Sequence, residues 1–176
     1  MLSTTGTMTL AGETVWNSGV MYADFDGTGK RVDNAVRIWT TGGRVSVYEA
    51  APSWQTAALG RTVTKCVLPD VAFDAAQSTG AYFIFIGQKQ ESIGSTSLAS
   101  PIFVGGSATN NSLDVPTPAV YENFPGNTAL HHDVTSGNNG YHGYGFTATP
   151  GWDMTTGFGS LDFAKFSAAM PSWRAQ

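Results

Sequence analysis

Gly94-Ser95-Thr96-Ser97-Leu98-Ala99-Ser100-Pro101-Ile102-Phe103-Val104-Gly105 follows the apolar run Ala81-Tyr82-Phe83-Ile84-Phe85-Ile86-Gly87. The upstream run predicts a strand. Small residues then crowd a turn, and an apolar, helix-compatible segment runs from Ser97 to about Gly106, expected to be a buried helix. A serine at such a turn meets the unpaired N–H groups and the positive dipole end of a helix, both of which favour developing negative charge. A hydroxyl attacking a carbonyl gains from that placement. Ser97 is therefore the leading catalytic candidate. The competing reading of the same residues is a structural helix cap, the commoner role of serine there.

Working outward, the chain of 176 residues is long enough for one domain with its own core. Its net charge of −4 and the lack of any basic run argue against a nucleic-acid partner. No apolar run is long enough to cross a membrane as a helix. Hydrophobic residues make up 41% and charged residues only 12%, with 21 glycines, a loop-rich but not disordered composition. Cys66 is alone, so no intrachain disulfide forms. The N-terminal residues show no signal-peptide pattern.

In chain order, Thr7–Leu10 and Glu13–Trp16 predict a short hairpin. Asp24–Lys30 predicts a turn, whose glycine comes too early for an EF-hand loop. Val32–Trp39 predicts a strand. The Gly42-Gly43 pair lets the backbone approach something closely, ahead of a short helix from Ser53 to Leu59. Asp70 and Asp74 invite an acid–base pair, but an Asp after Pro more simply satisfies local backbone donors. Asn110–Pro118 reads as a polar turn, Val120–Phe124 as a short element of open type, and Leu161–Met170 as an amphipathic helix. Trp16, Trp39, Trp54 and Trp152 read as packed rings rather than a binding surface.

A second informative stretch runs from His131-His132-Asp133-Val134-Thr135-Ser136-Gly137 to Thr149-Pro150-Gly151-Trp152-Asp153. Two aspartates flank a Gly/Asn-rich loop with almost no helix or strand former. From composition alone an Asx-turn loop is the simpler account. A hard cation held by carboxylates and backbone carbonyls is the other. Zinc and a Ser-His-Asp triad are disfavoured: there are three histidines in all, the lone cysteine has no partner spacing, and neither His131 nor His132 has independent support.

These segments together resemble the sedolisin family of serine-carboxyl peptidases. The resemblance is carried in order by Thr5-Gly6-Thr7-Met8, Glu13-Thr14-Val15-Trp16-Asn17, Thr41-Gly42-Gly43-Arg44-Val45-Ser46, Pro52-Ser53-Trp54-Gln55, Pro69-Asp70-Val71-Ala72, Gly94-Ser95-Thr96-Ser97 and Gly151-Trp152-Asp153. Ser95 stands where the family usually has glycine. The resemblance implies an α/β subtilisin-like sandwich with a parallel sheet, of which this chain would be the C-terminal portion. It implies Ser97 as nucleophile, with Gly42, Gly43, Ser95 and Thr96 as candidate substrate-binding residues. It implies a calcium site in a segment of about residues 131–160, with the Asp133 and Asp153 carboxylates and the Val134, Thr149 and Gly151 carbonyls as ligands. The reaction implied is hydrolysis of peptide bonds at acidic pH, in a secreted, lysosomal or vacuolar setting.

The family's base is a Glu supported by an Asp four residues on. Here the residues four after Glu13, Glu49, Glu91 and Glu122 are Asn17, Ser53, Ser95 and Gly126, so the pair is absent. The family's oxyanion Asp falls before the first alignable motif. The expectation is that an N-terminal partner chain of the same precursor, or self-association, completes the site. The alternative is a catalytically inactive secreted module of the same ancestry that binds protein or carbohydrate.

Overall fold

The computed structural model describes residues 12–22, 36–59, 63–77, 82–84, 90–108, 117–141 and 143–173. The predicted Asp24–Lys30 turn and most of the Asn110–Pro118 turn lie outside them.

Two-stranded antiparallel ladders recur along the chain. β1 (Asn17–Tyr22) pairs with β2 (Val36–Thr40), Tyr22 opposite Val36 and Asn17 opposite Thr40. The register shifts between Asn17 and Val20, where Gly19 takes a positive φ and its N–H donates to Asn17 Oδ1 at 2.9 Å. β3 (Arg44–Ala50) pairs with β4 (Lys65–Leu68), and α1 (Ser53–Ala58) is the connection between them. β5 (Tyr82–Ile84) pairs with β6 (Gln90–Ser92), leading into α2 (Thr96–Ala108). After α3 (Thr117–Asn123), β7 (His131–His132) pairs with β8 (Ser160–Leu161), and α4 (Phe163–Trp173) closes the chain. Every ladder among the described residues is antiparallel.

The main core is aromatic. Val120 and Tyr121 on the buried face of α3, with Phe124 just past its end, meet Phe158, Leu161 and Phe166. Tyr121 and Phe124 each meet Phe158 edge to face, at 5.2 and 5.9 Å between ring centres. α3 was the element of open type. At 7 residues it is too short to establish a helical period, yet its Val120/Tyr121/Phe124 spacing is the i, i+1, i+4 face of a helix. Polar groups cross this core in a connected chain. The fully buried Gln55 of α1 accepts from Val67 N–H (2.9 Å) through Oε1, and its Nε2 donates to Val67 O (2.8 Å) and Tyr121 Oη (2.9 Å). Tyr121 in turn donates to Asp70 Oδ1 at 2.9 Å. A single side-chain amide thus replaces a backbone pairing for Val67 and ties α1, β4 and α3 together.

The Thr7–Leu10 arm of the predicted hairpin lies outside the described residues; in the other arm, Val15 N–H donates to Ser136 O at 3.0 Å, a partner more than a hundred residues away. One expectation changes: the helix after the serine is not buried. Leu98 is 4% exposed, but Ser97 and Ser100 face solvent and Val104 is 64% exposed, because the described residues cover only one side of α2.

Candidate active site and the Asp133–Asp153 segment

The turn into α2 is held by backbone contact. Ser95 N–H donates to Ala75 O at 2.6 Å, and Leu98 N–H returns to Ser95 O at 2.9 Å. Gly94 lies against residues 75–77 so closely that an added Cβ would meet Ala75 O at 2.6 Å and Gln77 N at 2.7 Å. Ser95 then has φ of 76°, in the left-handed region where a side chain costs free energy. This is the position at which the resemblance expects glycine, and the backbone supplies the reason. The tight bend leaves Ser97 in the first turn of α2 with its side chain exposed. Pro101 carries no N–H, so it cannot return the usual i−4 hydrogen bond to the Ser97 carbonyl.

Beside this turn lies a cavity of about 620 Å³, lined by Gly42 and Gly43 on one side and by Thr96, Ala99, Ser100 and Phe103 of α2 on another. The structure thus brings three of the four candidate substrate-binding residues, Gly42, Gly43 and Thr96, to one cavity. Neither Ser95 nor Ser97 is among its lining residues; Ser97 adjoins it through its neighbour Thr96. Asp70 reaches the same cavity, where burial pushes its carboxyl above the ordinary carboxylate range, against a smaller opposing effect of the Tyr121 hydrogen bond. Asp74 Oδ1 accepts from Ala76 N–H at 3.2 Å. The two aspartates therefore have separate structural partners.

In the second segment four of the five predicted ligand residues are drawn together by their own hydrogen bonds. Gly151 N–H donates to Asp133 Oδ2 at 2.7 Å, and Thr149 N–H donates to Asp153 Oδ2 at 3.0 Å. Val134, the fifth, is buried beside Val15 and Ala148. Asp153 is 5% exposed, and its Oδ1 takes Thr155 N–H (2.7 Å), Thr155 Oγ1 (2.5 Å) and Thr156 N–H (2.9 Å). Asp133 Oδ1 is buried and has no hydrogen-bond partner in the protein. Among the described residues the one Lys/Arg–carboxylate pair is Lys165–Asp162, so neither Asp133 nor Asp153 has a basic partner there. Buried carboxylates ordinarily need a counter-charge, and an oxygen donor set suits a hard cation. Among the described residues no three side chains of His, Cys, Asp and Glu converge where they could hold a metal ion, so a cation here would depend on backbone carbonyls as well as the two aspartates.

His131 is 5% exposed, stacked on Phe124 at 4.7 Å between ring centres, with Nε2 placed 3.4 Å from Phe124 O. The tryptophans are dispersed: Trp16 meets Trp39 at 6.5 Å, Trp54 meets Tyr121 at 4.7 Å, and Trp152 Nε1 donates to Pro69 O at 3.0 Å.

No local sequence pattern shows how Glu13, Trp16 and Asn17 work together. Ser160 Oγ donates to both carboxylate oxygens of Glu13, at 2.6 and 2.7 Å. Asn17 Nδ2 donates to Asn138 O (2.9 Å) and Gly140 O (3.1 Å), and Trp16 O accepts from Thr41 N–H at 3.0 Å. The motif fastens the strand before Gly42 to the segment that follows Asp133.

No family model matches the chain. Xanthomonalisin of Xanthomonas sp. (strain T-22) is 51% identical over 179 residues, covering 98% of this chain and 21% of its own length. Sedolisin of Pseudomonas sp. (strain 101) is 49% identical, covering 97% of this chain and 28% of its own length. Kumamolisin of Bacillus sp. (strain MN-32) is 34% identical over 91% of this chain. The structure of Pseudomonas sedolisin, a serine-carboxyl proteinase complexed with two molecules of pseudo-iodotyrostatin, superposes with a TM-score of 0.78 at 44% identity, covering 98% of this chain and 44% of that one. The chain therefore spans between a fifth and a third of the curated relatives it matches, and corresponds to the C-terminal portion of an α/β subtilisin-like fold.

Proposed function

Because this chain belongs to the sedolisin family, we propose that it is the nucleophile-bearing part of a serine-carboxyl peptidase that hydrolyses peptide bonds at acidic pH. The observation that carries this reading is Ser97, exposed in the first turn of α2 beside a cavity that Gly42, Gly43 and Thr96 line, in a chain 51% identical to a named relative of that family. In the reaction, Ser97 Oγ attacks the substrate carbonyl and passes its proton to a carboxylate base. None of the four glutamates of this chain has an Asp four residues on, so base, supporting Asp and oxyanion Asp come from the rest of the assembled protein, a partner chain or a further segment. The substrate is a peptide or protein, and the setting is secreted or otherwise acidic. Among the described residues no helix is long and apolar enough to cross a membrane.

The Asp133 and Asp153 carboxylates and the Val134, Thr149 and Gly151 carbonyls would hold a calcium ion. When bound, it supplies positive charge to two carboxylates that lack a basic partner among the described residues. The unclaimed, buried Asp133 Oδ1 supports this reading. The chain's own contribution is to hold the loop: the Asp133–Gly151 and Asp153–Thr149 bonds preset the donors.

The test is a peptidase assay at about pH 4, where a carboxylate base is poised, on this chain combined with a segment carrying Glu-x-x-x-Asp. Activity lost in Ser97→Ala and lowered by a calcium chelator is the expected result. Absence of activity together with no labelling of Ser97 by an acyl-directed inhibitor selects the second reading, an inactive binding module, which the missing Glu-x-x-x-Asp favours.

A further inference from the structure

Among the described residues, two buried side-chain atoms have no hydrogen-bond partner in the protein: His131 Nδ1 and Asp133 Oδ1. They are two residues apart at the end of β7, a spacing that puts both side chains on one face of an extended chain, while His132 between them is exposed. Both residues line the same cavity of about 500 Å³, together with Gly151, Trp152, Phe124 and Phe158.

The chemistry of the two atoms is restrictive. A backbone carbonyl only accepts, so the contact of His131 Nε2 with Phe124 O requires Nε2–H as donor. In the neutral ring that leaves Nδ1 as an acceptor. The Asp133 carboxylate oxygen is an acceptor too. Two acceptors cannot satisfy each other, and each lies buried where an unmade bond is costly. What satisfies both at once is a cation on the carboxylate and an O–H donor on the imidazole. A hydrated hard cation is both. Calcium takes six to eight oxygen ligands. The two carboxylates and three carbonyls assigned above provide five residues, leaving room for water.

We infer that His131 is a positioning residue for the cation: its Nδ1 accepts a hydrogen bond from a water that completes the cation's oxygen shell, and the stack on Phe124 fixes the ring for that purpose. The inference rests on the calcium reading above. Partners of this kind typically set metal affinity by one to two orders of magnitude.

The test compares the wild-type chain, His131→Phe and His131→Asn. Phe keeps the stack on Phe124 and removes the acceptor; the Asn Oδ1 keeps an acceptor near the place of Nδ1. Calcium titration by calorimetry gives affinity, and the luminescence lifetime of bound Eu³⁺ in H₂O against D₂O counts coordinated waters. The expected result is a calcium affinity about tenfold weaker in His131→Phe, with about one coordinated water fewer, and a smaller loss in His131→Asn. A folded His131→Phe with unchanged affinity and hydration overturns the inference. If His131→Phe does not fold, a loss in His131→Asn as large as that expected for Phe overturns it. A wild-type chain that binds no calcium at all overturns the calcium reading itself, an outcome separable from the others because it needs no variant.

Discussion

A Cβ added to Gly43 would lie 1.6 Å from the carbonyl oxygen of Met154. The β2–β3 connection that lines the cavity beside Ser97 is therefore seated directly on the residue after Asp153. Two hydrogen bonds reinforce the seat: Thr41 Oγ1 to Thr155 O at 3.1 Å and Asn139 Nδ2 to Thr41 O at 3.2 Å. The cavity and the Asp133–Asp153 segment share one backbone contact. Gly43→Ala is expected to destabilise the chain by about 2–3 kcal/mol, since the clash is with backbone rather than a movable side chain. The same variant should weaken calcium binding, whereas Gly42→Ala, which meets nothing within 4 Å, should do neither. Thermal unfolding of both variants with and without calcium checks this.

Ser95 offers the reverse case. Its φ of 76° is unfavourable for any residue with a Cβ. Ser95→Gly should raise stability by about 1 kcal/mol, less whatever the freer unfolded chain takes back. That corresponds to a rise of about 2–4 °C in the melting midpoint for a domain of this size. A lower midpoint in Ser95→Gly contradicts the strain argument.

Gln55 makes three buried hydrogen bonds. Gln55→Leu fills a similar volume but leaves both Val67 backbone groups without their partner. Each orphaned group costs about 1–3 kcal/mol, so the variant should lose at least about 2 kcal/mol. Tyr121→Phe removes one hydroxyl of the same chain and should cost less. Denaturant unfolding of the two variants gives the ranking.

Asp70 sets a pH dependence of definite sign. Burial raises its folded pKa above the ordinary value of 3.8. A group raised in the folded state binds its proton more tightly there, so its contribution to stability is complete below the unfolded pKa. That contribution is lost as pH rises through the folded value. Asp70→Asn mimics the protonated form and can still accept from Tyr121. It should therefore gain stability over wild type at neutral pH, and the gain should vanish as pH falls to the lower carboxylate range. Asp162 works the other way: the hydrogen bonds from Lys165 lower its pKa, so its contribution is lost as pH falls through that lowered value. Melting curves of wild type and Asp70→Asn between about pH 3 and pH 7 read the crossover.

Local signals were legible and non-local ones were not. The turn at Gly94–Ser97, the helix from Ser53 and the strand before Gly42 declare themselves by small residues, Pro and β-branched runs. The resemblance located the four residues that two carboxylate–amide bonds now hold together. The role of Ser95's backbone was legible only as a departure from glycine. By contrast, Glu13 reads as an ordinary polar residue of a hairpin until Ser160 is placed against it. Gln55 reads only as one residue of the short helix from Ser53 until both backbone groups of Val67 are found bonded to its amide. His131 was weighed as a triad or zinc residue because sequence shows residue type but not which ring nitrogen is already engaged. In each case the deciding partner is distant in sequence, and periodicity carries no information about it.

The clasp formed by Glu13 and Asn17 has a consequence for the order of events during synthesis. Its bonds to Ser160, Asn138 and Gly140 join residues 147, 121 and 123 positions apart. A ribosome delivers Glu13 and Asn17 long before their partners emerge. Nothing can close the clasp until Ser160 has left the exit tunnel, and its two sides must then find each other across more than a hundred residues. The Asn138–Thr147 side carries a local ladder of its own, Asn139 N–H to Phe146 O at 3.0 Å and Tyr141 N–H to Tyr144 O at 2.8 Å, and needs no help from Glu13 or Asn17 to form it. Until that closure the Glu13–Asn17 stretch lacks the anchors that hold it, so in a newborn chain it is there, and not in the loop that receives it, that cleavage is expected to begin.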